Sequence, residues 1–352
     1  MDPLISILMP TYNRADWLAE ALRTAIAQES QGKFDFEVVV IDNNSPDHTR
    51  ETIERIAADS PVPVKYIHSI PPGDAQTRNA GLPHCEGDWI AFMDDDELAE
   101  PTWLLNLYET ATRNNAQLVG GAVLLDLPQE EVEKLSLDVR RSLRERSPAT
   151  CEGIERPFVD REYPGTDNLF IAREVLEALG EFDTTVISGS ADYDFSVRAR
   201  EAGFRCWYSP EAIVRHRTPA NRLTQEFIDW DSYRSGVMLA FYDNKFGGKF
   251  QVAKWLAARW GQGLLITLPR FFKAKLTGDQ QTSDDVRIRW KRLAGFTRSA
   301  LTLLAPIFFS SHSLQEQIDF ARGREIGKSK HKAPKPSQVQ PENPPVTEEV
   351  TV

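Results

Sequence analysis

Four short, mainly apolar runs at 4–9, 36–41, 64–67 and 89–93 each give way to polar residues, and the segments between the first three carry helical spacing. Such runs have the length of buried strands. Between the first two, Trp17, Leu18, Ala21, Leu22, Ala25 and Ile26 recur at helical intervals, and helices follow at 49–58 and around 75–82. Strand alternating with helix, with near-continuous apolar runs, predicts an α/β fold whose sheet is mostly parallel and covered on both faces.

In a parallel sheet the carboxyl ends of the strands lie side by side along one crevice, where ligands bind. The residues there are Thr11-Tyr12-Asn13-Arg14, Asp42-Asn43-Asn44 and, on the fourth strand, Asp94-Asp95-Asp96-Glu97, with Arg78-Asn79 nearby. Four consecutive carboxylates repel one another unless something positive sits among them, and carboxylate oxygens suit hard divalent cations that in turn carry phosphates. Asp42 can accept from a base or a ribose, and Arg78 offers a fork of donors to a diphosphate. Asp42 and Asn13 are equally good turn and capping residues, and an acidic run can be a solvated turn.

Beyond the acidic run, a helix is expected from Pro101 through Asn114 and a strand over 117–125. Residues 129–146 read as a charged helix or mobile segment. Strands at 168–171, 204–208 and 212–216 and helices at 173–179 and 194–202 follow, and the chain turns helical from Asn221. The organisation expected is a domain over 1–220, a helical region over 221–327 rich in aromatic and basic residues, and a disordered proline-rich tail over 328–352.

The net charge of −11 argues against nucleic acid as a partner. Residues 245–332 depart from it, with 17 Lys and Arg against 6 Asp and Glu. With their interleaved aromatics they have the composition of interfacial helices, which points to peripheral contact with a membrane; packing on the first domain or an oligomer contact is the competing reading. Three cysteines, Cys85, Cys151 and Cys206, without a CxxC pair fit a reducing compartment. Met1-Asp2-Pro3 leads straight into the first strand, so no signal peptide is expected, and no run reaches the ~18 apolar residues that span a bilayer. The location expected is cytoplasmic, on the inner face of the cell membrane where the basic region makes contact.

Ile5-Ser6-Ile7-Leu8-Met9-Pro10-Thr11-Tyr12-Asn13-Arg14 resembles the opening of the family 2 glycosyltransferases of the GT-A fold. Val40-Ile41-Asp42-Asn43-Asn44-Ser45-Pro46-Asp47 is similar to their second motif, Arg78-Asn79-Ala80-Gly81 to their third, and 89–97 to their DxD signature. Downstream, Asn168-Leu169-Phe170-Ile171 and Gly180-Glu181-Phe182-Asp183 look like the acceptor-side segment. Asp192-Tyr193-Asp194-Phe195 with Arg198 and Gly203 resembles the catalytic-base motif, and Pro210 with His216 its sequel.

The resemblance implies a Rossmann-like GT-A domain that binds a nucleotide-sugar donor, a UDP- or GDP-sugar, and inverts the sugar on transfer to a glycan or lipid-linked acceptor in surface polysaccharide synthesis. Thr11, Tyr12, Asn13 and Asp42 would hold base and ribose, and Arg78 the base or diphosphate. Asp94 would reach the ribose or metal, Asp96 would ligate a divalent cation (Mn²⁺ or Mg²⁺), and Asp95 is the less constrained middle residue. His216 matches a position that completes metal or diphosphate binding, or it simply ends a strand. Asp192 matches the base, with Asp194 as the alternative. Ala191 stands where the family commonly has Glu, which leaves the acceptor open and keeps alive a catalytically silent, nucleotide-sugar-binding scaffold. A nucleotidyltransferase would instead need a Gly-rich basic loop where Pro10-Thr11-Tyr12-Asn13 stands.

Overall fold

A computed structural model describes residues 2–69, 73–147, 153–159, 162–186 and 191–309, with Leu314, Ile318 and Ile326. The turn at Pro71-Pro72, Cys151 and the tail over 328–352 lie outside the described residues.

The chain alternates as read through β1 (Leu4–Thr11), α1 (Ala15–Ile26), β2 (Asp35–Asp42), α2 (Thr49–Ala58), β3 (Val64–His68), α3 (Asp74–Gly81) and β4 (Trp89–Phe92). These four strands pair in parallel in the order β3-β2-β1-β4. Burial on both faces follows the two-residue period of a strand. Ile5, Ile7 and Met9 of β1 pack with Leu18 and Leu22 of α1, while Leu8 points the other way, toward Ile41, Ala75 and Leu82.

The second half departs from a purely parallel sheet. After β5 (Glu97–Ala99), α4 (Trp103–Asn114) and β6 (Leu118–Leu125) come two short helices, α5 (Gln129–Lys134) and α6 (Leu137–Ser142). Hence 129–146 is largely helical. The strands β7 (Arg156–Pro157) and β8 (Leu169–Ala172), the helices α7 (Arg173–Leu179) and α8 (Ala191–Glu201), and β9 (Cys206–His216) follow. β8 inserts between β4 and β6, antiparallel to both, and β9 lies parallel to β6 and antiparallel to β5. The two strands expected over 204–216 are one strand with an irregularity, because the register jumps from Gly121↔Ser209 to Ala122↔Ile213. Pro210, which has no N–H for a ladder, falls in that excursion.

Asn168, just before β8, fixes this arrangement. Its Nδ2 donates to the carbonyls of Ala122 and Ala212, both at 2.9 Å, and its Oδ1 accepts from Trp103 Nε1 at 2.8 Å. One fully buried amide thus ties β6, β9 and α4 together. A second buried tie lies at the far end of the strands. Ser6 Oγ donates to Glu37 Oε1 at 2.7 Å, Lys65 Nζ approaches Glu37 Oε2 at 2.7 Å, and the Glu86 N–H donates to Oε1.

The C-terminal region consists of α9 (Gln225–Gln262), a π-helical segment Gly263–Thr267, α10 (Leu268–Thr277) and α11 (Gln280–Leu304). The long helix bends at Gly248, whose φ is 67°. Its first part crosses α11 with backbones in contact: a Cβ on Gly236 would lie 2.0 Å from the Arg292 carbonyl oxygen, and one on Gly295 2.0 Å from that of Tyr233. Among the described residues no helix is long and apolar enough to cross a membrane.

Asn168→Ala strands a buried indole N–H and two carbonyls, so urea unfolding should show a loss of about 2–4 kcal/mol. Although burial opposes it, contacts from Lys65, the Glu86 N–H and Ser6 hold the Glu37 carboxyl below its ordinary value. A depressed carboxyl contributes stability above its unfolded pKa, roughly 4.3, and loses it as the pH falls through the lower folded value. Urea midpoints should therefore fall less steeply on acidification below that pH in Glu37→Gln than in the wild-type chain.

Candidate active site

The acidic run begins where β4 stops, and the chain then turns back into β5. Thr11 ends β1 opposite Asp42 at the end of β2, and its Oγ1 donates to Asp95 Oδ2 at 2.8 Å. Arg14, just before α1, donates through Nη1 to Asp95 Oδ1 at 3.0 Å and to Asp96 Oδ2 at 2.8 Å. Asp95 is therefore held at both oxygens, contrary to its expected role as the less constrained middle residue. The strand end turns it inward, where a buried carboxylate needs partners.

Asp94 faces the other way. Its Oδ1 accepts from Arg78 Nη2 at 2.7 Å, and its N–H donates to Glu97 Oε2 at 2.8 Å. Burial, then the nearby Asp96 and Asp74, push its carboxyl up to about 7 despite Arg78. Glu97 is fully buried, and burial followed by Asp94 and Asp167 raises it well above its ordinary value. Burial also opposes ionisation of Asp96, yet His216 and Arg14 hold that carboxyl below its ordinary value.

Asp192 lies at the start of α8 and accepts the Tyr193 N–H on Oδ1 at 2.7 Å. Burial, then Asp167, raise its carboxyl, while Arg78 and Arg144 pull it down. Arg78 thus acts on both Asp94 and Asp192. Asp194, the alternative base, is fully buried and paired with Arg198 Nε at 2.9 Å and Lys245 Nζ at 2.5 Å. Gly165 sits against the site: a Cβ there would lie 2.6 Å from Asp167 Oδ1 and 3.1 Å from Asp192 Oδ2.

Of the residues read for base and ribose, Asp42 is a turn former here. Its Oδ1 accepts the Ser45 N–H at 2.9 Å and its Oδ2 the Tyr66 hydroxyl at 3.0 Å. Asn13 has φ 54° and donates its N–H to Ser45 Oγ at 2.8 Å. Tyr12 beside it is exposed. All three lie along the same edge as Thr11.

His216 ends β9 opposite Glu97 of β5, which brings its Nδ1 to 3.6 Å from Asp96 Oδ1 and 4.0 Å from Glu97 Oε1. Neither His216 Nδ1 nor Glu97 Oε1 has a hydrogen-bond partner, although both are buried. Among the described residues no three His, Cys, Asp or Glu side chains form a preformed metal centre. A carboxylate beside an imidazole nitrogen that lacks a partner nevertheless fits a divalent cation whose other ligands come from phosphate and water.

Sequence reading missed Arg144, Arg146, Asp167 and Arg222. Arg146 Nη2 pairs with Asp167 Oδ1, Arg144 Nη2 lies 3.8 Å from Asp231 Oδ1, and Arg222 Nη1 is 3.3 Å from His216 Nε2. The turn formers around Gly165 could have flagged Asp167. Arg144, at φ 78°, carried no local signal.

Residues 6–154 match the model of Glycosyl transferase family 2, and residues 89–315 that of Glycosyl transferase family group 2. The succinoglycan biosynthesis protein ExoO of Rhizobium meliloti is 32% identical over 320 residues, covering 88% of this chain and 90% of its own. ExoM of the same organism is 30% identical over 235 residues, covering 66% and 72%. A mannosyltransferase from Pyrobaculum calidifontis, solved with GDP-Man and Mn²⁺, superimposes with a TM-score of 0.57 at 19% identity, over 85% of this chain and 87% of that one. The last comparison bears on the fold, which is the GT-A arrangement expected.

Arg14→Met should leave two buried carboxylates without their cation and destabilise the chain by about 3 kcal/mol. Adding Asp95→Asn should restore part of that loss, read as coupling in a double-mutant cycle by urea unfolding.

Proposed function

The chain belongs to the family 2 glycosyl transferases, and on that premise we propose that it transfers a sugar from a nucleoside-diphosphate donor, with inversion, to a hydroxyl of a glycan or lipid-linked acceptor. The relatives named for succinoglycan biosynthesis make surface polysaccharide synthesis the natural setting. In this reading residues 1–220 carry the transfer site and 221–327 form the helical region behind it.

The observation that carries the proposal is the convergence on Arg78. One guanidinium bonds Asp94 at 2.7 Å and acts on the Asp192 carboxyl, which supports a site that joins the end of β4 to the start of α8. A leaving diphosphate and an incoming hydroxyl need those two groups within one small volume.

Thr11, Tyr12, Asn13 and Asp42 line the strand edge on the nucleoside side. Their polar groups can read a ribose and a base, and exposed Tyr12 offers a ring to stack on. Asp94 reaches the ribose or the cation, and Asp95 sets Arg14 in place. Asp96 with His216 would hold the divalent cation, Mn²⁺ or Mg²⁺, which supplies neutralisation of the charge that builds on the departing phosphate.

Asp192 takes the proton from the acceptor hydroxyl as that oxygen bonds the anomeric carbon. The bond from that carbon to the diphosphate breaks on the opposite face, and its electron pair leaves with the phosphate. A carboxyl raised by burial and by Asp167 is a stronger base than one in water, which suits this role. Arg144, Arg146 and Arg222 add positive charge to the same cleft, a field that favours a doubly anionic donor.

Asp192→Asn should lower turnover by about 10²–10⁴-fold while leaving nucleotide binding nearly intact. Calorimetry with UDP and GDP beside a transfer assay checks both halves, and a variant with wild-type turnover would remove Asp192 from its role. With Mn²⁺ present, one of the two nucleotides should bind more tightly to the wild-type chain, and Asp96→Asn should lose that gain. Equal affinity with and without metal would refute the cation site.

A further inference from the structure

Two cavities among the described residues lie away from the sheet edge, against the C-terminal helices. One, of about 240 Å³, is lined by Arg259, Arg289, Arg292 and Trp290, with Asp138 as its carboxylate. Asp138 is already taken: Arg289 Nε lies 2.8 Å from its Oδ2 and Arg141 Nη1 3.4 Å from its Oδ1. Arg259, Arg289 and Arg292 thus bring three guanidinium groups to the wall of one recessed space. Burial holds Arg292 below its ordinary value, with Asp138 and Asp231 opposing. The second cavity, of about 250 Å³, shares Arg289 and adds Arg270 and Lys273, with Asp279 and Asp285 as its carboxylates.

Gly263 and Thr267 on the wall of the first cavity bracket Leu264, Leu265 and Ile266, which face outward. Leu265 is 79% exposed, and on the adjoining α10 Phe272 is 58% and Leu276 88% exposed. Only Ala274 of α10 is buried. Such an apolar ridge on a water-facing helix calls for a partner. Its charge says which. From 249 to 278 the chain carries six Lys and Arg and no Asp or Glu, so the segment that bears the ridge is itself positive, with Asp279 and Asp285 beyond it on the wall of the second cavity. A protein partner for this face would have to be acidic and apolar at once; the interface of an anionic bilayer is both.

We propose that Leu264, Leu265, Ile266, Phe272 and Leu276 seat in the interface of an anionic membrane, and that the arginine-lined cavity beside them receives the phosphate of a lipid headgroup. Guanidinium forks match phosphate oxygens two at a time, and the apolar ridge at the cavity wall lies where the acyl chains would begin. The assignment is independent of the transfer chemistry, because none of these residues belongs to the cleft at the sheet edge.

Flotation of the full-length chain with phosphatidylcholine vesicles, with and without phosphatidylglycerol, tests it. The chain should float with the anionic vesicles alone, less as salt is raised. Lys273→Gln should lower partitioning about fivefold, the equivalent of about 1 kcal/mol for one basic residue at an anionic surface. Arg292→Gln should reduce the preference for phosphatidylglycerol. Leu265→Ser with Leu276→Ser should abolish flotation, and these exposed positions can change without disturbing the core. Failure to float, or equal flotation with both vesicle types, overturns the proposal. So does a concentration-dependent dimer, seen by sedimentation without vesicles, that the double Leu variant dissolves. Binding of inorganic phosphate that Arg292→Gln abolishes, with flotation unchanged, would mark the cavity as a free-anion site and overturn the headgroup assignment.

Discussion

Four consecutive acidic side chains at the end of a buried strand cannot all remain charged without help. Two unit charges ~4 Å apart at an effective dielectric of 20 interact by ~4 kcal/mol, comparable to a large part of a domain's net stability. The fold answers residue by residue. Arg14 neutralises Asp95 and Asp96, Arg78 takes Asp94, and burial pushes the Glu97 carboxyl well above its ordinary value. Each answer places a cation or a donor at the strand edge, and so the requirements of burial assemble the cleft. The arginines that make the acids tolerable are the same groups that a phosphate would meet.

The division near residue 220 separates sheet from helices, but their charges are interlocked. Arg222, beyond that point, reaches back to His216, and Asp231 of α9 is approached by Arg144 from the end of α6 and by Arg234 from its own helix. The helical region therefore contributes to the potential around His216 and Arg144. Trimming the chain at the apparent boundary would leave Arg144 and His216 without these neighbours.

Much of the first half was readable because its strands are buried on both faces, which leaves an unbroken apolar signature in β1, β2 and β4. Local signals do not carry pairing order, and so the insertion of β8 between β4 and β6 could not be read from 168–171. The excursion at Pro210 made one strand look like two. At the candidate site, residue types at strand ends pointed to one edge of the sheet, where the structure gathers them, yet not to their partners. Asp95 read as the less constrained middle residue, and its anchors, Thr11 and Arg14, are more than eighty positions away. Arg144 and Arg146 lie in a stretch with no clear period, and only tertiary packing carries them to Asp192 and Asp167. The pairing of Asp194 with Lys245, far along the chain, likewise carries no local signal.

The crossing of α9 and α11 at Gly236 and Gly295 has a mechanical consequence. With main chain resting on main chain there, and Ala240, Phe296 and Ala300 packed alongside, the part of α9 before Gly248 and α11 move together as a stiff beam. Arg289 is mounted on that beam and grips Asp138 at the start of α6, just ahead of Arg144. Any load placed on the outer end would be delivered inward as a tilt of the whole arm, with α6 as its fulcrum.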